Sequence, residues 1–297
     1  MSSINIPFES LFNRFLSEKT KEKSEKVVVF IAITSFVIHL SLIAFVSLNW
    51  ISPNDFSGLL QNPMAAIYTP FSFILLYEAY LLVYYLPKSI TKYIGKQYEI
   101  ITLIIIRRIF KDLNDIEITT EWFNRKGDIL FTLDVIAVLI LFYLIYLFYK
   151  IVDDKPKVAI TPEVASFIKL KKIIATILVP IFLILAIYNF SFWIYENFYS
   201  LNQTAVSIKN TNKIFFDEFF TILILIDVLL LLFSFLITDK FNQVIRNSGF
   251  IISTILIKLT FNIDGILNTI ITIVAVLLGV LILYICNKYD NLDKNVF

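Results

Sequence analysis

Apolar residues fill this chain in unbroken runs, not in the i, i+3, i+4 stripe of a soluble amphipathic helix. Six runs approach or exceed the roughly 20 residues that cross about 30 Å of hydrocarbon. They cover 27–50, 65–86, 128–151, 173–195, 214–238 and 264–287. Each predicts a membrane-spanning helix. Two further stretches, 98–111 and 249–262, are shorter and interrupted by cations. The order is long, long, short, long, and then the same again.

The two short stretches align without gaps. Residues 100–110 read IITLIIIRRIF and residues 251–261 read IISTILIKLTF, with five identities in eleven positions. Thr102 stands opposite Ser253, and Arg107 opposite Lys258. Isoleucine-rich helices match one another by chance, so the identities alone carry little. The pairing gains weight from the matched cation, the matched segment order and the spacing to an intramembrane acid. Glu78 precedes Arg107 by 29 residues, and Asp227 precedes Lys258 by 31.

The expected architecture is an all-α integral membrane protein, a polytopic helix bundle of two parallel four-helix repeats. It would hold six long spans plus two short charged segments. Its expected parts are a cytoplasmic N-terminal segment (1–26), membrane repeat 1 (27–151), a cytoplasmic linker (152–172), membrane repeat 2 (173–287) and a cytoplasmic tail (288–297). Residues 112–127 are an insertion without counterpart in the second half. Short segments at matching positions of two halves are the best sequence pointer to a transporter's central site.

Loop charge bears on whether the short segments cross, because Lys and Arg accumulate on the cytoplasmic side. With six spans, 17 Lys/Arg fall inside and 9 outside. With eight, 18 fall inside and only four outside (Arg125, Lys126, Lys209 and Lys213), the rest belonging to the crossings. Charge favours eight spans. Length favours six, because a fourteen-residue helix covers only about 21 Å. Both counts place the two termini in the cytoplasm.

Composition narrows the class. The chain of 297 residues is 58% hydrophobic and 17% charged, against about a quarter charged in a soluble domain. The 26 mostly polar residues before the first run predict a resident helix, not a cleaved leader. One cysteine, Cys286, excludes an intrachain disulfide and a thiolate cluster, and one histidine, His39, argues against an imidazole metal site. No cofactor and no metal is expected. A net charge of +2 motivates no nucleic-acid partner. Walker, dinucleotide-binding, HExxH, GxSxG and potassium-filter motifs are all missing from the sequence. Heavy use of Ile, Phe, Lys and Asn points to an AT-rich bacterial genome and hence to the bacterial inner (plasma) membrane. The expected partners are the lipid bilayer, a small ion or solute, and a further copy of the chain in a homo-oligomer.

The candidate site residues are ionisable groups inside apolar helices. Such groups cost several kcal/mol in hydrocarbon, so they face protein or water. Glu78 lies in FSFILLYEAYLLVYYLP, with Tyr85 on its face. Asp227 lies near the centre of its run, with Ser234 on the same face. Lys258 is apolar on both sides, and a lone buried lysine would lose its proton unless an acid faced it. Asp227 is its natural partner, and Asp217, Glu218 and Asp264 are rivals. Arg107 would pair with Glu78, while Arg108, about 100° around the helix, would reach Glu99, Asp112 or a lipid headgroup. Arginines snorkelling from a surface-lying helix are the plainer account.

Asp134, Asp217 and Glu218 lie one or two turns into their helices, where acids usually meet the interface. His39, with Ser35 one turn back, is either a packing residue or a proton relay. The leading functional reading is a transporter or channel for a small ion or solute, using Glu78–Arg107 and Asp227–Lys258 as acid–base pairs at a repeat interface. The alternatives are a non-catalytic membrane scaffold, sensor or assembly partner held by structural ion pairs, and an integral-membrane lipid enzyme.

Overall fold

A computed structural model describes residues 5–48, 66–112, 126–153, 162–198, 208–237, 240–260, 263 and 265–296. Among these, regular structure is helical and no strand occurs. The helices are α1 (Asn5–Phe15), α2 (Glu18–Ser47), α3 (Tyr68–Tyr85), α4 (Ile90–Asp112), α5 (Lys126–Asp153), α6 (Pro162–Phe198), α7 (Ile208–Phe235), α8 (Phe241–Thr260) and α9 (Ile266–Val296).

Local chemistry explains several boundaries. Ser17 caps α2, its hydroxyl accepting the Thr20 amide at 3.2 Å with Glu18 in the first turn. Pro162 opens α6 at a position where its missing N–H costs nothing. Gly265 turns the chain between α8 and α9 with φ of 87°, a left-handed conformation that favours glycine. Asn268 then donates to the Thr260 and Ile263 carbonyls at 2.6 and 3.1 Å, pairing carbonyls that the end of α8 leaves without helical partners.

Five stretches are long and apolar enough to cross a membrane: Phe8–Ser47, Gly127–Val152, Pro162–Tyr188, Glu218–Phe235 and Ile266–Leu292. These make the chain a multi-pass integral membrane protein. Many of their large apolar side chains point outward, among them Phe30, Leu139, Phe142, Ile184, Leu225 and Ile285. In a lipid solvent such faces bear no penalty. Helix α3 is the expected span that is not among the five, because five tyrosines, Pro70 and Glu78 dilute its 18 residues.

The short charged segments differ from expectation in length. Residues 98–111 belong to α4, a helix of 23 residues, and most of 249–262 belongs to α8, a helix of 20. At 1.5 Å per residue they reach about 35 and 30 Å. Length therefore does not oppose a crossing; the polar turns at their N-terminal ends hid their extent. Likewise α6 begins inside the expected linker 152–172, and α9 runs on into the expected tail.

The chain divides into two compact units. The first draws on Met1–Tyr84, Phe110–Glu117 and Ala175–Phe216. Within it, Tyr80 donates to the Phe15 carbonyl at 2.9 Å and Phe71 packs on Phe110 at 5.4 Å between ring centroids. The second draws on Tyr85–Ile109, Ile118–Ile174 and Asp217–Phe297. Here α9 packs along both α8 and α5. Tyr98, Phe148 and Phe250, all fully buried, form its aromatic centre, with Tyr98–Phe148 edge-on at 5.3 Å. Gly279 lets α9 approach α4 closely, since a Cβ there would overlap the Tyr98 hydroxyl. That hydroxyl bonds Ser253 at 2.7 Å, and Ser253 donates in turn to the Ala275 carbonyl at 2.6 Å.

Candidate functional site: a buried acid with two lysines

The second unit buries an ion pair. Asp227 on α7 and Lys258 on α8 meet with Nζ 2.7 Å from Oδ2, their side chains 1% and 2% exposed. Each helix supplies one buried charge, and removing either would leave the other without its bonded partner. Gln97 on α4 reaches the same Oδ2 at 3.4 Å. The other carboxylate oxygen, Oδ1, is buried and makes no hydrogen bond.

A second lysine faces the same acid. Lys171, on α6 and 3% exposed, lies within electrostatic reach of Asp227. Its ammonium donates to the Lys88 carbonyl at 3.0 Å and sits 5.3 Å from the Phe167 ring centre. Lys171 and Asp227 line one small cavity of about 20 Å³, together with Tyr93, Asn247, Ser234 and several aliphatic side chains. The buried Tyr93 hydroxyl and the Asn247 amide oxygen also make no hydrogen bond there. Ser234 spends its proton on the Leu231 carbonyl at 2.8 Å. The walls come from α4, α6, α7 and α8, all within the second unit.

A separate network ties α4 to α5 and α9. Arg108 makes a bidentate bond to Asp134, Nε to Oδ2 at 2.5 Å and Nη2 to Oδ1 at 2.6 Å. Thr269 joins both, accepting from Arg108 at 2.8 Å and donating to Asp134 at 2.6 Å. Arg108 thus meets Asp134, and not the Glu99, Asp112 or headgroup oxygens expected from sequence. Glu99 instead accepts from Tyr149 at 2.5 Å and pairs with Lys96 one turn away. Fork-on-fork geometry fixes the angle between two helices.

The remaining candidates are dispersed. Glu78, 4% exposed, lies on α3 in the first unit, whereas Arg107 lies on α4 in the second and is partly exposed. His39 Nδ1 and the Thr69 hydroxyl are hydrogen-bonded at 2.5 Å within the first unit, while Ser35 bonds its own helix at Ala32. Glu218 is exposed, and the Asp217 side chain and Asp264 lie outside the described residues. Among the described residues, no three His, Cys, Asp or Glu side chains gather to hold a metal ion.

Sequence reasoning missed three polar members of the cavity and one further partner of Asp227. Tyr93, which lines the cavity, and Gln97, which reaches Asp227, precede the expected segment 98–111, and Asn247 precedes 249–262. Lys171 falls in the expected cytoplasmic linker. One signal was available for it, because Thr161-Pro162-Glu163 is a helix-start signature that carries the helix past Lys171. The fold and its buried charges define a multi-pass helical membrane protein with a buried ion pair beside a small cavity. Comparison with protein-family models, curated proteins and solved structures finds no match to this chain.

Proposed function

We propose that the protein is a membrane transporter or channel for a small ion or solute, with Asp227 as its titrating group. One observation carries this reading. Asp227 bonds Lys258 through one oxygen and leaves the other without a hydrogen bond, beside a cavity shared with a second lysine. A fastener gains most when every lone pair is used. An acid that must exchange partners keeps a free oxygen next to a space.

Protonation of Asp227 would release Lys258 from its charge partner, and the freed ammonium would then bind substrate or shift α8 against α7. The two halves are proposed to be parallel repeats. The proposed setting is a bacterial inner membrane with both termini in the cytoplasm. The test is reconstitution of the full chain in liposomes, with ion flux followed across an imposed pH gradient. Flux above that of protein-free liposomes, lost in Asp227→Asn with Lys258→Met, is expected. A well-folded chain that leaves every ion gradient intact would overturn the proposal.

A second reading rests on the Arg108–Asp134–Thr269 network, whose polar atoms satisfy one another in the manner of an internal fastener. On that reading the protein is a scaffold, sensor or assembly partner, and its buried charges only order the bundle.

A further inference from the structure

We propose that the cavity between Lys171 and Asp227 binds a small monovalent anion of halide size. The inference deepens the transport reading and rests on it for its role, although binding itself is independent of flux. Its first ground is charge. Asp227 is faced by Tyr93 and Gln97 from α4, Lys171 from α6 and Lys258 from α8. Two ammoniums therefore meet one carboxylate, all three at most 5% exposed. Lys258 has claimed the carboxylate through a direct bond. Lys171 has only a carbonyl and the face of an aromatic ring. An uncompensated buried cation is costly, and one added anion brings the group to neutrality.

Space and donors agree with charge. A cavity of about 20 Å³ clears the roughly 10–15 Å³ needed for one water-sized particle. Tyr93 lines it, and its buried hydroxyl faces Asp227 and Gln97 without completing a hydrogen bond to either. Lys171 spends one of three N–H donors on Lys88. The Asn247 amide offers N–H in place of oxygen after a half-turn of its terminal group. A cation in the same space would meet two ammoniums against the single carboxylate of Asp227, whose Oδ2 already holds Lys258.

The test is thermal unfolding of the purified full chain in detergent, in sodium chloride, sodium bromide, choline chloride and sodium gluconate at equal ionic strength. The melting temperature should rise in every halide salt whichever cation is present, and fall back in gluconate. Lys171→Met should abolish that dependence. Tyr93→Phe keeps the charges and removes one donor, so it should raise the halide midpoint by about tenfold. A melting temperature that follows sodium against choline would make the site cationic and overturn the inference. So would one indifferent to all four salts. Halide stabilisation without liposome flux keeps this inference and sinks the transport reading; flux without halide stabilisation does the reverse.

Discussion

Replacing Asp227 by asparagine should destabilise the protein strongly, and adding Lys258→Met should reverse most of the loss. Asparagine keeps an oxygen for the Lys258 ammonium 2.7 Å away but removes the one carboxylate of the cluster among the described residues. Breaking a buried pair from one side costs about 3–5 kcal/mol. The single variant should therefore melt lower by on the order of 10 °C. In the double variant the orphaned cation is gone, and the residue of the loss is one or two hydrogen bonds, about 1–2 kcal/mol. The assay is a melting series in detergent across the full cycle, with liposome flux measured on the same four proteins. A structural pair returns both stability and flux in the double variant. A transport site returns stability alone, because the titrating group is gone. If Asp227→Asn melts with the parent, and does so equally in the Lys258→Met background, the two residues are uncoupled and the reasoning is refuted.

Two further outcomes test the frame around the site. Gly279→Ala should cost about 1–3 kcal/mol, because its Cβ would overlap the buried Tyr98 hydroxyl, and Tyr98→Phe should relieve part of that cost in a melting assay; strictly additive losses would mean that α9 does not press on Tyr98. For topology, a single cysteine at 120 or 205 in a Cys286→Ala chain should label from outside intact cells, and one at 160 or 243 only after permeabilisation. External labelling at 160 would restore six spans.

The parts of the fold legible in the sequence were those governed by solvent. Continuous apolar runs mark helices in lipid because every backbone polar group must bond within its own segment, and α2, α5, α6, α7 and α9 all lie on such runs. The Asp227–Lys258 pair was legible for the same reason, since an isolated charge in a long apolar helix demands a partner. Helix ends were not, because α4 and α8 begin in polar turns that read as loop. Nor was Arg108–Asp134, because 26 residues of separation hold no periodicity that would choose Asp134 over nearer acids.

Lys171 shows where solvent reasoning stops and packing takes over. Counted by sequence, it is one of six basic residues in a loop between Lys150 and Lys172, and it lends weight to a cytoplasmic side. In the fold its neighbour Lys172 is also partly covered, but Lys171 alone of the two lines the cavity with Asp227. A bundle that needed only a fastener between α7 and α8 would have it in Lys258. A second buried ammonium adds desolvation cost that the one carboxylate in reach, already bonded to Lys258, offsets only in part, and apolar side chains of similar volume often stabilise a core as well or better than buried charges do. The excess cation is therefore the feature least explained by folding, and the one on which an account of function for this site should be built.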